Sequence, residues 1–431
     1  MTTPVAPARN HGATDNDPCA CHEGRRLELS RRGILKMLGG TALVTATLGE
    51  AQLAFGATAG TKPNVLVTIV LGGGMDGMSA VVPHGDAAFA PARPNIAIPP
   101  STTLRADAMF GLHPALSPLY PLWQSGKFGA VQAVGQLAAD KSHFSAMEKM
   151  EQAATGSAAR DGWVNRMMGL LPENGPLEGV ALGGSNLPGH YRGAQPTLSA
   201  YRLADITLPL EYVTTLPLWQ QAFTQLHVGE RPEISAPMRN ALGAVNAVAS
   251  VPASTATGYP NNTWGTALKD VARMIKADVG LRTASVPYGG WDHHENFGGP
   301  TDTGSTFAGR LSGLAQGLAA FAADLGTDLD RVTTMTFTEF GRPLKENGSG
   351  GLDHGHGYVC LMLGGGVNGG KVHGTWPGLA PANLSNKQDL AVTTDYRSVI
   401  SEVLTTRMGV SSTTPVFPGF TPAAVGVMRS V

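Results

Sequence analysis

Two short stretches of this 431-residue chain concentrate side chains able to do chemistry. One is Gly289-Gly290-Trp291-Asp292-His293-His294-Glu295-Asn296. The other, residues 336–356, reads TFTEFGRPLKENGSGGLDHGH and carries Glu339, Arg342, Asp353, His354 and His356. Neutral imidazole beside carboxylate is a donor set for Zn, Mn or Fe. Five polar or ionisable groups in a row, from Asp292 to Asn296, are hard to account for as packing, although a plain surface loop with two histidines is the simpler alternative. Two further positions join them. Ser142-His143 stands where a strand gives way to a helix, a place for a nucleophile or a metal ligand near a positive helix end, and equally a place for a capping serine. Asp76 follows Gly72-Gly73-Gly74, where the glycines let the backbone turn and present a carboxylate; Asp-Gly is also an ordinary turn dipeptide. The triple glycine matches the spacing of neither a dinucleotide fingerprint nor a P-loop.

The elements that must position these residues can be read from hydrophobic periodicity. Residues 64–71 (NVLVTIVL) form a continuous β-branched run, the pattern of a strand buried on both faces of a parallel sheet. Residues 113–123 carry apolar side chains at helical spacing, 128–134 a short strand and 147–154 a helix. This β–α–β order favours a parallel sheet. Residues 156–261 are rich in Gly, Pro, Ser and Thr, with short helical pieces at 216–226 and 237–249, and are expected to be an insertion or cap over the sheet edge. Order resumes with a helix at 264–279, a strand at 281–288, a long amphipathic helix at 307–325, strands at 332–337 and 359–363, and a last helix from Asp395. The fold expected is α/β: a doubly wound, mostly parallel sheet with helices on both faces and a loop-rich insertion. Asp76, Ser142-His143, Asp292/His294, Glu339 and Asp353/His354/His356 then all fall at strand ends, on the edge where such sheets bind ligands. That convergence points to a metal site.

The amino-terminal sixty residues read as an export signal. Ser30-Arg31-Arg32-Gly33 precedes a weakly apolar run of about a dozen residues, too short and too polar to span a bilayer. Cleavage is expected near 57–59, giving a signal and extension over 1–59 and one α/β domain over 60–431. The expected partner during export is the twin-arginine translocase, the destination periplasmic or secreted, and no stable membrane anchor is expected. Cys19 and Cys21 fall within the signal, which leaves Cys360 alone in an apolar run as an inert core residue. With 31 basic against 32 acidic residues and no basic stripe, nothing suggests a nucleic-acid partner.

The set LGGGMDGMSAVVPHGD (71–86), FGLHPALSPLYPLW (110–123), SHF (142–144), DGW (161–163), GGWDHHEN (289–296) and TEFGRPLKENGSGGLDHGHG (338–357), behind a twin-arginine signal, resembles the exported bacterial DUF1501 family. That family is grouped with the alkaline phosphatase/sulfatase superfamily. The resemblance implies an alkaline phosphatase/sulfatase-like sheet and a site for one or two divalent metals (Zn, Mn or Ca) that hydrolyses small anionic or glycan-linked phosphate or sulfate esters. Carried over, it makes Asp76, Asp292, His294, Glu339, His354 and His356 metal ligands, Ser142 the nucleophile, and Arg342 and His143 the groups that hold the anion. The related pattern in cofactor-independent phosphoglycerate mutase has Asp-His where this chain has Glu339-Phe340, and Phe binds no metal. Either one metal is lost there, or His143 or His356 fills the gap. A non-catalytic exported binding protein with at most one metal is the competing expectation.

Overall fold

The computed structural model describes residues 62–154, 159–173, 175–207, 221–222, 225, 232–299, 302 and 306–429. The expected signal segment, the first two cysteines and nearly all of the expected helix at 216–226 lie outside the described residues. Residues Ala59–Val431 gather into one compact unit.

Among the described residues twelve strands follow one another: β1 (Val65–Val70), β2 (Val81–Val82), β3 (Leu104–Arg105), β4 (Gly111–Leu112), β5 (Phe128–Gly135), β6 (Gly179–Leu182), β7 (Leu198–Ala200), β8 (Thr283–Pro287), β9 (Val332–Phe337), β10 (Tyr358–Gly364), β11 (Val372–His373) and β12 (Thr394–Asp395). Nine form one sheet in the order β11-β5-β10-β9-β1-β8-β6-β7, with β12 also paired to β5. The remaining three make a small antiparallel sheet, β2-β4-β3. In the large sheet β1 pairs parallel with both β8 and β9, and β6 parallel with β8 and β7. Only β10 runs against its neighbours, β9 and β5. β1 lies in the middle; the chain then places β5 on one side and β6 and β7 on the other before β8, β9 and β10 fill the positions between, giving the mostly parallel sheet expected from the sequence.

Alternation along β1 separates the two faces. Val65, Val67 and Ile69 enter one core with the helices Thr263–Ala277 and Thr306–Leu325, while Leu66 enters another with Trp163–Met168 and Tyr396–Arg407. Helices therefore cover both faces, which is why β1 reads as an unbroken apolar run. Cys360 is buried in β10, and burial pushes its thiol up to about 12, so it stays an inert core residue.

Two expectations need correction. The stretch 156–261 supplies β6 and β7, which extend the main sheet beyond β8, so this part of it is sheet and not a cap over the edge. The periodic signal there was weak because β7 has only three residues, all half-buried. Residues 113–123 form a 3-10 segment, Pro114–Leu119, followed by a single helical turn, Tyr120–Gln124. Pro114, Pro118 and Pro121 each remove a backbone donor and break up an α-helix that the apolar spacing would otherwise favour.

Candidate metal centre

The parallel strands β8, β1 and β9 lie side by side, so their carboxyl ends open at one edge and deliver the loops after Pro287, Val70 and Phe337 to one place. β5 runs the same way and adds the loop leading to His143. Because β10 is antiparallel, it is its start, just after His354 and His356, that reaches this edge. Backbone bonds carry the sheet pairing into the loops: Leu71 N–H to Phe337 O, Tyr288 N–H to Val70 O and Trp291 N–H to Gly72 O.

Residues 291–294 leave the strand through a tight turn, closed by His293 N–H on Trp291 O at 2.9 Å, and burial alternates along them. Trp291 and His293 turn inward and are buried; Asp292 and His294 turn outward together. Trp291 is anchored by Nε1–H to Tyr288 O at 2.6 Å and packs edge-on to Phe307. His293 lies among Trp291, Phe297 and Phe307, and burial pushes its ring down to about 4, so it stays neutral in this apolar pocket. A separation of one residue therefore suffices to bring Asp292 and His294 to the same point, where a helix would need three or four.

Three imidazoles converge on Asp292. His143 Nε2 is 3.3 Å from Oδ2; His294 Nε2 and His354 Nε2 are 3.1 and 3.3 Å from Oδ1. Each ring is held from behind through Nδ1 by an oxygen that can only accept. Glu339 Oε1 holds His143 at 2.5 Å, Asp353 Oδ1 holds His294 at 3.2 Å, and the Lys141 carbonyl holds His354 at 2.8 Å. These bonds place the proton on Nδ1 in all three rings and leave every Nε2 lone pair pointing inward. His143 Nε2 is buried and has no hydrogen-bond partner. His294 Nε2 and His354 Nε2 face each other at 2.9 Å, a separation that two bare lone pairs tolerate only with a cation or an extra proton between them. Among the described residues, His143, Asp292 and His354 form the group whose ligand atoms all lie within 4.8 Å of one another, and His294 lies against two of its members. The residues fit a divalent metal, with second partners of the kind that orient metal-bound histidines.

The electrostatics keep the donors in ligand form. Burial raises the Asp292 carboxyl, but the hydrogen bond and charge of Arg342, with His294 and His143, outweigh it and hold it below the usual carboxylate range. Burial lowers His354, which favours the neutral ring. Hydrogen bonds from Asn347 and His294 hold Asp353 low, so it remains an acceptor.

Several expected roles change. Arg342 is almost wholly buried and does not reach for a substrate anion. Its guanidinium donates to the carbonyls of Gly73, Gly74 (2.6 Å), Leu352 (2.9 Å) and Trp291 (3.2 Å), and to Asp292 Oδ1 at 2.8 Å. It staples three loops together and aims the central carboxylate. Glu339 faces His143 and not the centre: Oε1 accepts from His143 and from Gly73 N–H (2.8 Å), and Oε2 accepts from the Thr338 hydroxyl (2.9 Å). His143, expected at the substrate, stands in the ligand cluster. Asp76 lies apart from it, buried in a two-pronged pair with Arg93 (2.5 and 3.1 Å) while capping Ser79 N–H at 3.0 Å, so its lone pairs are spent. His356 is nearly buried and satisfied at both nitrogens, by Gln136 O at 2.7 Å and Ser385 Oγ at 3.1 Å. Ser142 is exposed at the start of the helix His143–Gln152, and its hydroxyl makes no capping bond. Phe340 is a platform: the His143 and His354 rings lie 4.9 and 4.7 Å from it, 4.4 Å from each other. Of the two imidazoles expected to replace the one missing at Phe340, His143 stands beside Asp292 and His356 is bonded elsewhere.

Gly73 and Gly355 are among the glycines that close approach requires. A Cβ on Gly73, whose φ is +113°, would lie 2.7 Å from Asp292 N, and one on Gly355 would lie 2.2 Å from the Arg342 carbonyl carbon. Sequence reading missed Lys141 and Asn347. Lys141 acts through its carbonyl, which no side-chain pattern reveals. Asn347 Nδ2 donates to His294 O at 2.8 Å and Asp353 Oδ1 at 3.0 Å.

The resemblance to DUF1501 is borne out: residues 220–416 match the family model described as "Protein of unknown function (DUF1501)". No curated protein matches the sequence. Among solved structures, the C-terminal periplasmic domain of EcEptC from Escherichia coli in complex with Zn is similar at 9% identity and TM-score 0.32, covering 71% of this chain and 74% of that one. PsFucS1 sulfatase from Pseudoalteromonas sp. aligns at 11% identity and TM-score 0.32, with 78% and 68% covered. The phosphonate monoester hydrolase of Agrobacterium radiobacter aligns at 10% identity and TM-score 0.32, with 80% and 74% covered.

Proposed function

We propose that this is an exported metal-dependent hydrolase of anionic phosphate or sulfate esters, with a single metal held by His143, His294, His354 and Asp292. The observation that carries it is the inward convergence of three Nε2 lone pairs on one carboxylate. Three nitrogens and one carboxylate suit Zn or Mn better than Ca, which prefers an all-oxygen shell. A cation there would supply Lewis-acid polarisation of the ester's oxygen. The chain's own residues do the rest. An open cleft of about 730 Å³ runs from His294, His354 and Asp353 to Lys141, Lys345 and Lys387. Its acids are already engaged, Glu346 by Asn95 and Ile96 N–H and Asp353 by Asn347 and His294, so the ammonium groups of Lys345 and Lys387 are left to draw an anion in. Ser142, exposed and one residue before His143, is the nucleophile of this reading. Its oxygen would bond to phosphorus or sulfur as the ester bond breaks, the serine proton leaving with the alcohol, and water would then cleave the seryl ester to release phosphate or sulfate and restore the hydroxyl. The twin-arginine motif supports the periplasm or exterior as the place of action, and no helix among the described residues is long and apolar enough to cross a membrane.

A second reading, a binding protein with one metal and no turnover, is favoured by Asp76, whose engagement with Arg93 removes a ligand that a second metal would need. Metal analysis of protein purified without chelator, with turnover of p-nitrophenyl phosphate and p-nitrophenyl sulfate, separates the two. About one equivalent of metal, with turnover that falls at least ~100-fold in Ser142→Ala, supports the hydrolase. Metal without turnover supports the binding protein. Metal content unchanged by Asp292→Ala overturns both.

A further inference from the structure

Beneath the cluster lies a carboxylate that touches none of its members. Asp389 is fully buried, and neither of its oxygens receives a hydrogen bond of normal geometry. The ammonium of Lys141 stands 2.8 Å from Oδ2, although the Lys141 side chain is 40% exposed. A buried carboxylate stripped of its counter-charge is strongly disfavoured, so this pair holds the lysine down instead of leaving it free in solvent. Lys141 is also the residue whose carbonyl accepts from His354 Nδ1.

The segment around Asp389 is tied to both ends of the loop that carries His354. Leu344 N–H donates to Gln388 O at 2.9 Å, and Gly357 N–H donates to Leu390 O at 2.8 Å. His356 closes the same seam, between Gln136 O and Ser385 Oγ. Asp389 therefore sits where the 384–391 segment, the 341–357 loop and the loop before His143 meet.

We propose that Asp389 is a positioning residue for the metal centre: its ion pair with Lys141 fixes the peptide that holds His354 Nδ1–H and so keeps the His354 Nε2 lone pair aimed at Asp292. This rests on the cluster being a metal site, but its first consequence, the tautomer of His354, exists with or without metal. A residue that merely stabilised the fold would change melting and leave the ring alone.

The test uses the full chain with ¹⁵N-labelled histidine in EDTA, His354 being assigned by loss of its signals in His354→Gln. The wild type is expected to show the Nδ1–H form of His354. Asp389→Asn and Lys141→Met, the latter keeping the carbonyl but losing the charge, are both expected to move the ring toward Nε2–H. Both should also weaken Co²⁺ binding in parallel, by about 10- to 100-fold. An unchanged His354 pattern in the two variants overturns the proposal, whatever happens to Tm. If one variant does not fold, the other carries the same comparison. If the wild type binds no Co²⁺, the metal reading falls, and the tautomer shift alone decides the role of Asp389.

Discussion

His190 and His354 are both histidines flanked by acidic and hydroxyl or carbonyl oxygens, and they end in opposite states. His190 is fully buried between the strands and bonded on both sides, Nδ1 to Glu151 Oε1 at 3.2 Å and Nε2 to Ser285 Oγ at 3.1 Å. Serine, histidine and carboxylate in line have the order of a catalytic triad, but Ser285 lies inside β8 without solvent access. Trp163 stacks over the ring, and nothing can reach the hydroxyl. The three histidines around Asp292 have one nitrogen satisfied and the other left over. The lesson is that composition and contact are shared by structural and functional clusters; what separates them is whether the hydrogen-bonding capacity is used up.

The sharpest way to break this contrast is to remove the residue that belongs to both scaffold and site. Arg342→Ala deletes donors to four carbonyls and to Asp292, leaving buried acceptors unpaired. Unfolding in urea should show a loss of roughly 3–5 kcal/mol, together with loss of metal binding. Arg342→Lys is expected to recover little, since one ammonium cannot serve five acceptors in different directions. Stability that stayed near wild type would mean the loops hold themselves.

On the sealed side, His190→Ala should cost roughly 2–4 kcal/mol by leaving a cavity and two unpaired partners, while metal affinity stays within about twofold. A large fall in affinity would show that the two clusters are coupled. Acid should likewise find His113, another buried histidine. Burial pushes His113 from 6.5 down to about 4, so the unfolded chain takes up this proton first. The stability it contributes is present above about pH 6.5 and is lost as pH falls toward 4, about 3 kcal/mol in all. Urea titrations at several pH values, compared with His113→Asn, which keeps an acceptor for Ala115 N–H, would isolate that slope.

In the open cluster, Glu339→Gln keeps shape and hydrogen bonding but removes the charge behind His143. Metal affinity by competition titration should drop about 10- to 100-fold, with unfolding free energy changed by less than ~1 kcal/mol. A Glu339 that bound metal itself would give a loss like that of Asp292→Ala. The smallest effect is expected for Ser285→Ala: about 1 kcal/mol of stability and unchanged turnover, since its hydroxyl only completes a buried network.

Much of this arrangement was legible beforehand, and the places where it was not have a common cause. The run at 64–71, the stripe at 307–325 and the apolar stretch at 359–363 named their elements, because burial on one face or two imposes a periodicity on the chain itself. Asp292, His294 and His354 were equally visible, as histidines and acids crowded into loops at strand ends. The role of Glu339 was not, because a ligand and a residue that aims a ligand have the same side chain and differ only in which atom faces the centre. Asp76 looked like Asp292 until Arg93, seventeen residues on, closed over it. Lys141 and Asp389 left no signal, since one acts through its backbone and the other through burial.

The chain by itself therefore determined which segments become strands and helices, that most strands run parallel, and which edge would collect the polar groups. These follow from local periodicity and from the alternation of strands with helices, which favours a parallel sheet. Only the tertiary structure decided which lone pairs remain free. That depends on partners brought from hundreds of residues away, Glu339 to His143 and Lys141 to His354, and a hydrogen bond between such groups is a matter of a few tenths of an ångström that no spacing along the sequence encodes.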